Sequence, residues 1–108
     1  MTISRLGGFE EMVLLAVAAL RGDGYGIALQ EFLEAEVTGR VSIGAVYATL
    51  DRLQRKGLVR SREGEPTAER GGRRRRHYVV SAAGLKALRS ARDVRASLWD
   101  HVPDPTEA

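Results

Sequence analysis

From Phe9 to Leu20 the chain reads FEEMVLLAVAAL, apolar at nearly every position after two glutamates. This predicts a helix buried on almost all sides, in the protomer or against a partner, with the glutamates in the first turn where the helix dipole favours anions. RGDGYG predicts a turn whose glycines end that helix. Tyr25, Leu29, Phe32, Leu33 and Val37, separated by Gln30, Glu31, Glu34 and Glu36, predict an amphipathic second helix. Ser42 is the expected N-cap of a third, whose Ile43, Val46, Leu50 and Leu53 recur at the spacing of one buried face before Lys56 and Gly57 end it.

The pattern then changes period. LVRSRE at 58–63 alternates as a short strand does, and RRHYVV at 75–80 ends in β-favouring residues. GEPTAERGG between them is rich in turn formers and predicts a long hairpin tip. Ser81 is expected to cap a last helix through Trp99, with Leu85, Leu88, Ala91, Val94 and Leu98 on one stripe. The expected fold class is mainly α with a small β-hairpin wing, a winged helix-turn-helix plus a C-terminal dimerisation helix. Its expected parts are a DNA-binding domain at 1–80, the dimerisation helix at 81–100 and a loose tail at 101–108.

Composition narrows the chemistry. The 108 residues suit one domain, the absence of cysteine excludes disulfides and thiolate metal sites, and His77 and His101 are too far apart for a short metal-ligand motif. No metal or other cofactor is expected. MVLLAVAAL at 12–20 is too short to span a bilayer, and Glu10 and Glu11 contradict the basic start of a signal peptide, so no membrane role and a cytoplasmic location are expected. Net charge is only +3, yet positions 40–76 hold 11 basic residues against four acidic ones, a net of +7 that leaves −4 for the remainder. A basic middle suggests a polyanion partner for that part alone.

GGRRRRHY at 71–78 is the centre of that charge. Runs of like charge are either solvated or grip a polyanion. Here strand signals bracket the run, so Gly71 and Gly72 are expected to let a wing approach the duplex closely. Arg73, Arg74, Arg75, Arg76 and His77 are then expected to meet phosphate or enter the minor groove. On the third helix, Gly44, Ala45, Ala48, Asp51, Arg52 and Arg55 oppose the apolar face, with Ser42, Thr49 and Lys56 on a flank. Small residues allow close approach, and Ser42, Thr49 and Arg52 are the expected base or adjacent phosphate contacts. Tyr47 has two readings, core packing and a phosphate hydrogen bond. Asp51 opposes DNA unless it pairs with Arg55 one turn on. Tyr25 is a candidate backbone contact.

Taken in order, LGGFEEMVLLAVAAL, YGIALQEFLE, SIGAVYATLDRLQRKGLV and GGRRRRHYVVSAAGLKAL resemble the PadR family of bacterial transcriptional regulators over positions 6 to about 88. Ala48 stands where many members have proline. The resemblance implies a homodimer on near-palindromic double-stranded DNA, usually a repressor that a small-molecule effector releases, with the first and last helices making the dimer contact. Phe9, Val13, Leu88, Ala91, Val94, Arg95, Leu98 and Trp99 are the expected interface residues, and the apolar stripes of both helices point the same way. Trp99 has two readings, a packing anchor and a platform for a flat effector.

Other classes fit less well. A winged-helix protein-interaction module without DNA binding leaves the +7 middle unexplained. RNA modules place several aromatics on a sheet, whereas these strands offer Tyr78 alone. No Ser/His/Asp arrangement, carboxylate pair or phosphate loop suggests an enzyme.

Overall fold

The computed structural model describes residues 6–66 and 74–107. Helix α1 (Gly8–Leu20) is followed by a two-residue strand β1 (Gly24–Tyr25), helix α2 (Gly26–Val37) and helix α3 (Ile43–Arg55). Strands β2 (Val59–Pro66) and β3 (Arg74–Val80) lead to helix α4 (Ala82–Trp99). The winged helix-turn-helix layout is therefore present, and the wing has three strands. β3 lies between β1 and β2, antiparallel to both, with Tyr25 opposite His77 and Arg62 opposite His77 on the other side.

The helices pack through most of the apolar residues that predicted them, though Leu15 of α1 and Val37 of α2 are exposed. Val13, Leu14 and Val17 of α1, Leu29 and Leu33 of α2, and Val46, Leu50 and Leu53 of α3 form one core with Leu58, Val59, Tyr78, Ala87 and Leu88. Such burial stabilises each large aliphatic side chain by roughly 1.5–3 kcal/mol. The same burial pushes the Tyr78 phenol above its ordinary pKa. Among the described residues no buried side-chain nitrogen or oxygen lacks a hydrogen bond.

Helix ends follow local chemistry. Ser42 Oγ accepts from Ala45 N–H at 3.2 Å, and Ser81 Oγ accepts from Gly84 N–H at 3.0 Å, as N-caps do. Glu10 Oε1 accepts from Gly7 N–H at 2.8 Å and closes the start of α1. α1 ends differently from expectation, because Arg21 itself takes the left-handed conformation, with φ of 50°, ahead of Gly22. The turn between α2 and α3 is braced twice: Gln30 Nε2 donates to Val41 O and Val41 N–H to Glu34 Oε2, both at 2.9 Å.

The start of α4 is seated on the segment that joins α3 to β2. Ser81 Oγ also donates to Gly57 O at 2.7 Å, and Ser81 N–H donates to Leu58 O at 3.0 Å. A Cβ on Gly84 would meet the Leu58 carbonyl, so only glycine fits this approach. Beyond Leu88 the helix leaves the core, and Val94, Leu98 and Trp99 are exposed, Trp99 by 70%. The tail expected to be loose contains one 3₁₀ turn, Pro105–Glu107, preceded by Asp104, whose Oδ1 accepts from Thr106 N–H at 2.8 Å.

Candidate nucleic-acid interface

α3 turns Val46, Leu50 and Leu53 into the core and leaves Gly44, Ala45, Ala48, Asp51, Arg52 and Arg55 outside. Ser42 is exposed at its N-terminus. A face of small side chains with cations toward its C-terminal end can approach a duplex groove closely and still offer donors. Thr49 is corrected: it is 1% exposed, and its hydroxyl accepts from Arg52 Nη2 at 3.2 Å. It cannot touch a base, but it steers the arginine one turn on.

Tyr47 lies outside the core with its ring over the first residue of α2. A Cβ on Gly26 would collide with that ring, so the glycine makes room for it. Tyr25, the residue before, carries the Arg75 guanidinium over its own ring at 4.4 Å and meets the His77 ring edge-on at 5.7 Å. Arg75, Tyr25, Gly26 and Tyr47 thus form an unbroken row joining the wing, the N-terminus of α2 and α3. Cation–π contact holds the arginine without neutralising it, so its charge stays available.

His77 departs from expectation. Strand alternation puts it on the face shared with Tyr25, where Nδ1 lies 3.1 Å from Gly22 O. A carbonyl only accepts, so Nδ1 carries the hydrogen and the ring fastens β3 to the turn after α1. Arg76 is exposed on the opposite face and Nη1 donates to Ser61 Oγ at 3.3 Å. Arg74 opens β3 opposite Pro66. Gly71, Gly72 and Arg73 lie outside the described residues. Arg60 and Arg62, exposed on β2, extend the basic surface. Their signal in the sequence was the alternation of LVRSRE.

Each cation at the end of α3 has a carboxylate partner. Arg55 Nη2 meets Asp51 Oδ2 at 2.7 Å, the expected pair one turn apart. Lys56 Nζ donates to Glu10 Oε2 at 2.8 Å, and Arg52 Nε lies 3.9 Å from the same oxygen. The Lys56 hydrogen bond, then the Gly7 N–H, hold the Glu10 carboxyl below its usual pKa against desolvation. Glu10 was not among the expected site residues.

Of the expected dimer residues, Val13 and Leu88 are corrected. Val13 lies fully inside the protomer's own core and offers no surface to a partner, and Leu88 is mostly in that core and reaches the surface only along the groove between α1 and α4. Phe9 and Ala91 are half-buried. Arg95 is held by Glu11, with Nη2 2.6 Å from Oε1. Val94, Leu98 and Trp99 remain exposed, and Leu15, Leu85, Leu88, Arg95 and Trp99 help to line a groove of about 620 Å³ between α1 and α4. Among the described residues no cluster of His, Asp or Glu could hold a metal ion, and no helix is long and apolar enough to cross a membrane.

Known proteins place this arrangement. RosR of H. salinarum, in a complex structure, is 27% identical over 96% of this chain and 81% of its own, with a TM-score of 0.66. A PadR family transcriptional regulator from Eggerthella lenta is 27% identical over 82% of this chain and 75% of its own, with a TM-score of 0.64. A PadR-like regulator from Bacillus cereus, 23% identical over 85% and 84% of the two chains with a TM-score of 0.67, shares the fold. No curated protein matches the sequence significantly. Residues 14–90, spanning the second half of α1 through the first half of α4, match the transcriptional regulator PadR-like family, whose members are regulators and not enzymes. The chain belongs to the PadR-like family of transcriptional regulators.

Proposed function

We propose that this regulator binds a specific double-stranded operator as a homodimer, represses transcription there, and releases the DNA when a small-molecule effector binds. The observation that carries the reading is the continuous row from Arg75 through Tyr25 and Gly26 to Tyr47. It fixes the basic wing beside the open face of α3. In this reading Ser42, Gly44, Ala45, Ala48 and Arg52 face the major groove. Arg55, Lys56 and the arginines of the wing hold phosphate, and Tyr25 and Tyr47 brace the two parts while their hydroxyls lie near the backbone.

The exposed apolar end of α4 supports the dimer. Val94, Leu98 and Trp99 are large, apolar and open to water, which a second copy would relieve. A dimer would set two copies of α3 into successive major grooves about 34 Å apart. The groove beside Trp99 supports an effector seat, because a ligand there would touch both α1 and α4. To release DNA it must favour one dimer geometry over the other.

Binding to the DNA upstream of the protein's own gene, beside a scrambled duplex and across a salt series, tests the reading. The expected result is selective binding that weakens by about 10³ to 10⁵ between 50 and 200 mM salt if six to ten phosphates are engaged. Equal affinity for both duplexes would remove the operator from that region, and no binding at low salt would overturn the reading.

A further inference from the structure

We propose that Glu10, on the helix opposite the DNA-facing side of α3, is a positioning residue that restrains non-specific DNA binding by holding Lys56 and Arg52 against the protein. The inference rests on the DNA-binding reading above and adds a carboxylate that limits affinity for DNA of any sequence.

The geometry is asymmetric. The Glu10 side chain is 12% exposed and its Oε1 is fixed by Gly7 N–H, so the carboxylate cannot follow its partners. Lys56 and Arg52 are long and about half exposed, so they can leave. Asp51 restrains Arg55 from within the same helix, where the pair moves as one. Glu10 acts across 46 positions of sequence, from a different helix, on the last turn of α3 and its cap.

A duplex that draws Lys56 to its phosphates and Arg52 to its groove leaves Glu10 as a mostly buried carboxylate with only the Gly7 N–H. Leaving such a group without a counter-charge is costly. Any DNA pays that cost. A matching operator repays it through base contacts, whereas a random duplex offers only phosphate. Glu10 therefore lowers both affinities by the same factor, which is enough to keep the already weak, salt-dependent non-specific binding from persisting.

Glu10→Gln tests this cleanly, because the amide oxygen can still accept from Gly7 N–H while the charge is gone. Binding of a mixed-sequence duplex is measured across a salt series for the wild type, E10Q, K56Q, the double variant and E31Q. Glu31 is exposed on α2 and supplies the same change in net charge. E10Q should bind roughly two- to fivefold tighter. Its log-affinity against log-salt slope should steepen by about 0.9 for each cation released. The gain should shrink in the K56Q background, and E31Q should leave the slope unchanged. A loss of charge with only a structural effect would not steepen the slope. E10Q binding no tighter than wild type, or E31Q matching it, overturns the inference alone. Absence of wild-type binding even at low salt overturns the DNA reading, and the inference with it.

Discussion

Helices α3 and α4 start alike, each capped by a serine and each with an apolar stripe, but the protomer completes only one of them. In α3 the stripe is buried at Val46, Leu50 and Leu53 and partly at Ile43, and apart from Tyr47 and Gln54 what remains outside is small or charged. In α4 the stripe is covered at Leu88 and half-covered at Ala91, while Leu85, Val94, Leu98 and Trp99 face water. Water tolerates the first surface and penalises the second by roughly 25 cal/mol for each Å² of apolar area. The outer face of α3 therefore suits a charged, hydrated partner, and the outer end of α4 suits an apolar one.

Substitutions at matched depths should separate the two helices. Leu50→Ala opens a cavity in the protomer core and should cost about 2–5 kcal/mol in chemical unfolding at any protein concentration. A smaller or concentration-dependent loss would mean that α3 is not held by the protomer alone. Trp99→Ala should act the other way round, weakening the proposed dimer by about 2 kcal/mol while leaving a dilute protomer's unfolding unchanged. Analytical ultracentrifugation over a dilution series reads this, and an unaltered association constant would remove Trp99 from the interface.

On the charged side, replacing Arg75 and Arg76 by alanine should weaken every duplex tested and flatten the salt slope by about 1 for each arginine lost. If Arg75 serves only to pack on Tyr25, the slope will stay as it was. The smallest effect concerns pH. Because the folded-state pKa of Glu10 is depressed, its stabilisation is complete above the unfolded value near 4.5 and is lost as pH falls through the folded one. Between pH 6 and 3 the wild type should lose about 1 kcal/mol or less beyond what E10Q loses. Parallel urea midpoints for the two proteins would show that the Lys56–Glu10 pair contributes nothing.

Much of the fold was legible because its signals are local. Serine caps at 42 and 81, the three-four spacing within α2, α3 and α4, and the Asp51–Arg55 pair all act within a turn or two of chain. What escaped depends on residues that meet from afar. β1 is too short for any period and exists because Gly24 and Tyr25 pair with Tyr78 and His77. His77 reads as part of an arginine run, yet its place beside Tyr25 and the Gly22 carbonyl hold it half-buried against the turn after α1. Thr49 sits at the edge of its helical wheel, and only packing by neighbouring elements decides that it is covered. Val13 and Leu88 carry the apolar character of an interface, but a small domain needs them for its own core. Glu10 looked like a favourable first-turn charge, and nothing local announces Lys56 as its partner.

The seat of α4 on Ser81 and Gly84 makes the helix a lever with a fixed short arm and a free long one. From Gly84 to Trp99 the axis runs roughly 22 Å at 1.5 Å per residue. A tilt of about 5° at the seat displaces the far end by about 2 Å over that length. Because Ser81 grips Gly57 O, immediately after the last turn of α3, the same tilt pulls where that helix ends. On a rigid helix a displacement of about 2 Å at the tryptophan end would thereby be geared down into a much shorter one beside Arg52, Arg55 and Lys56.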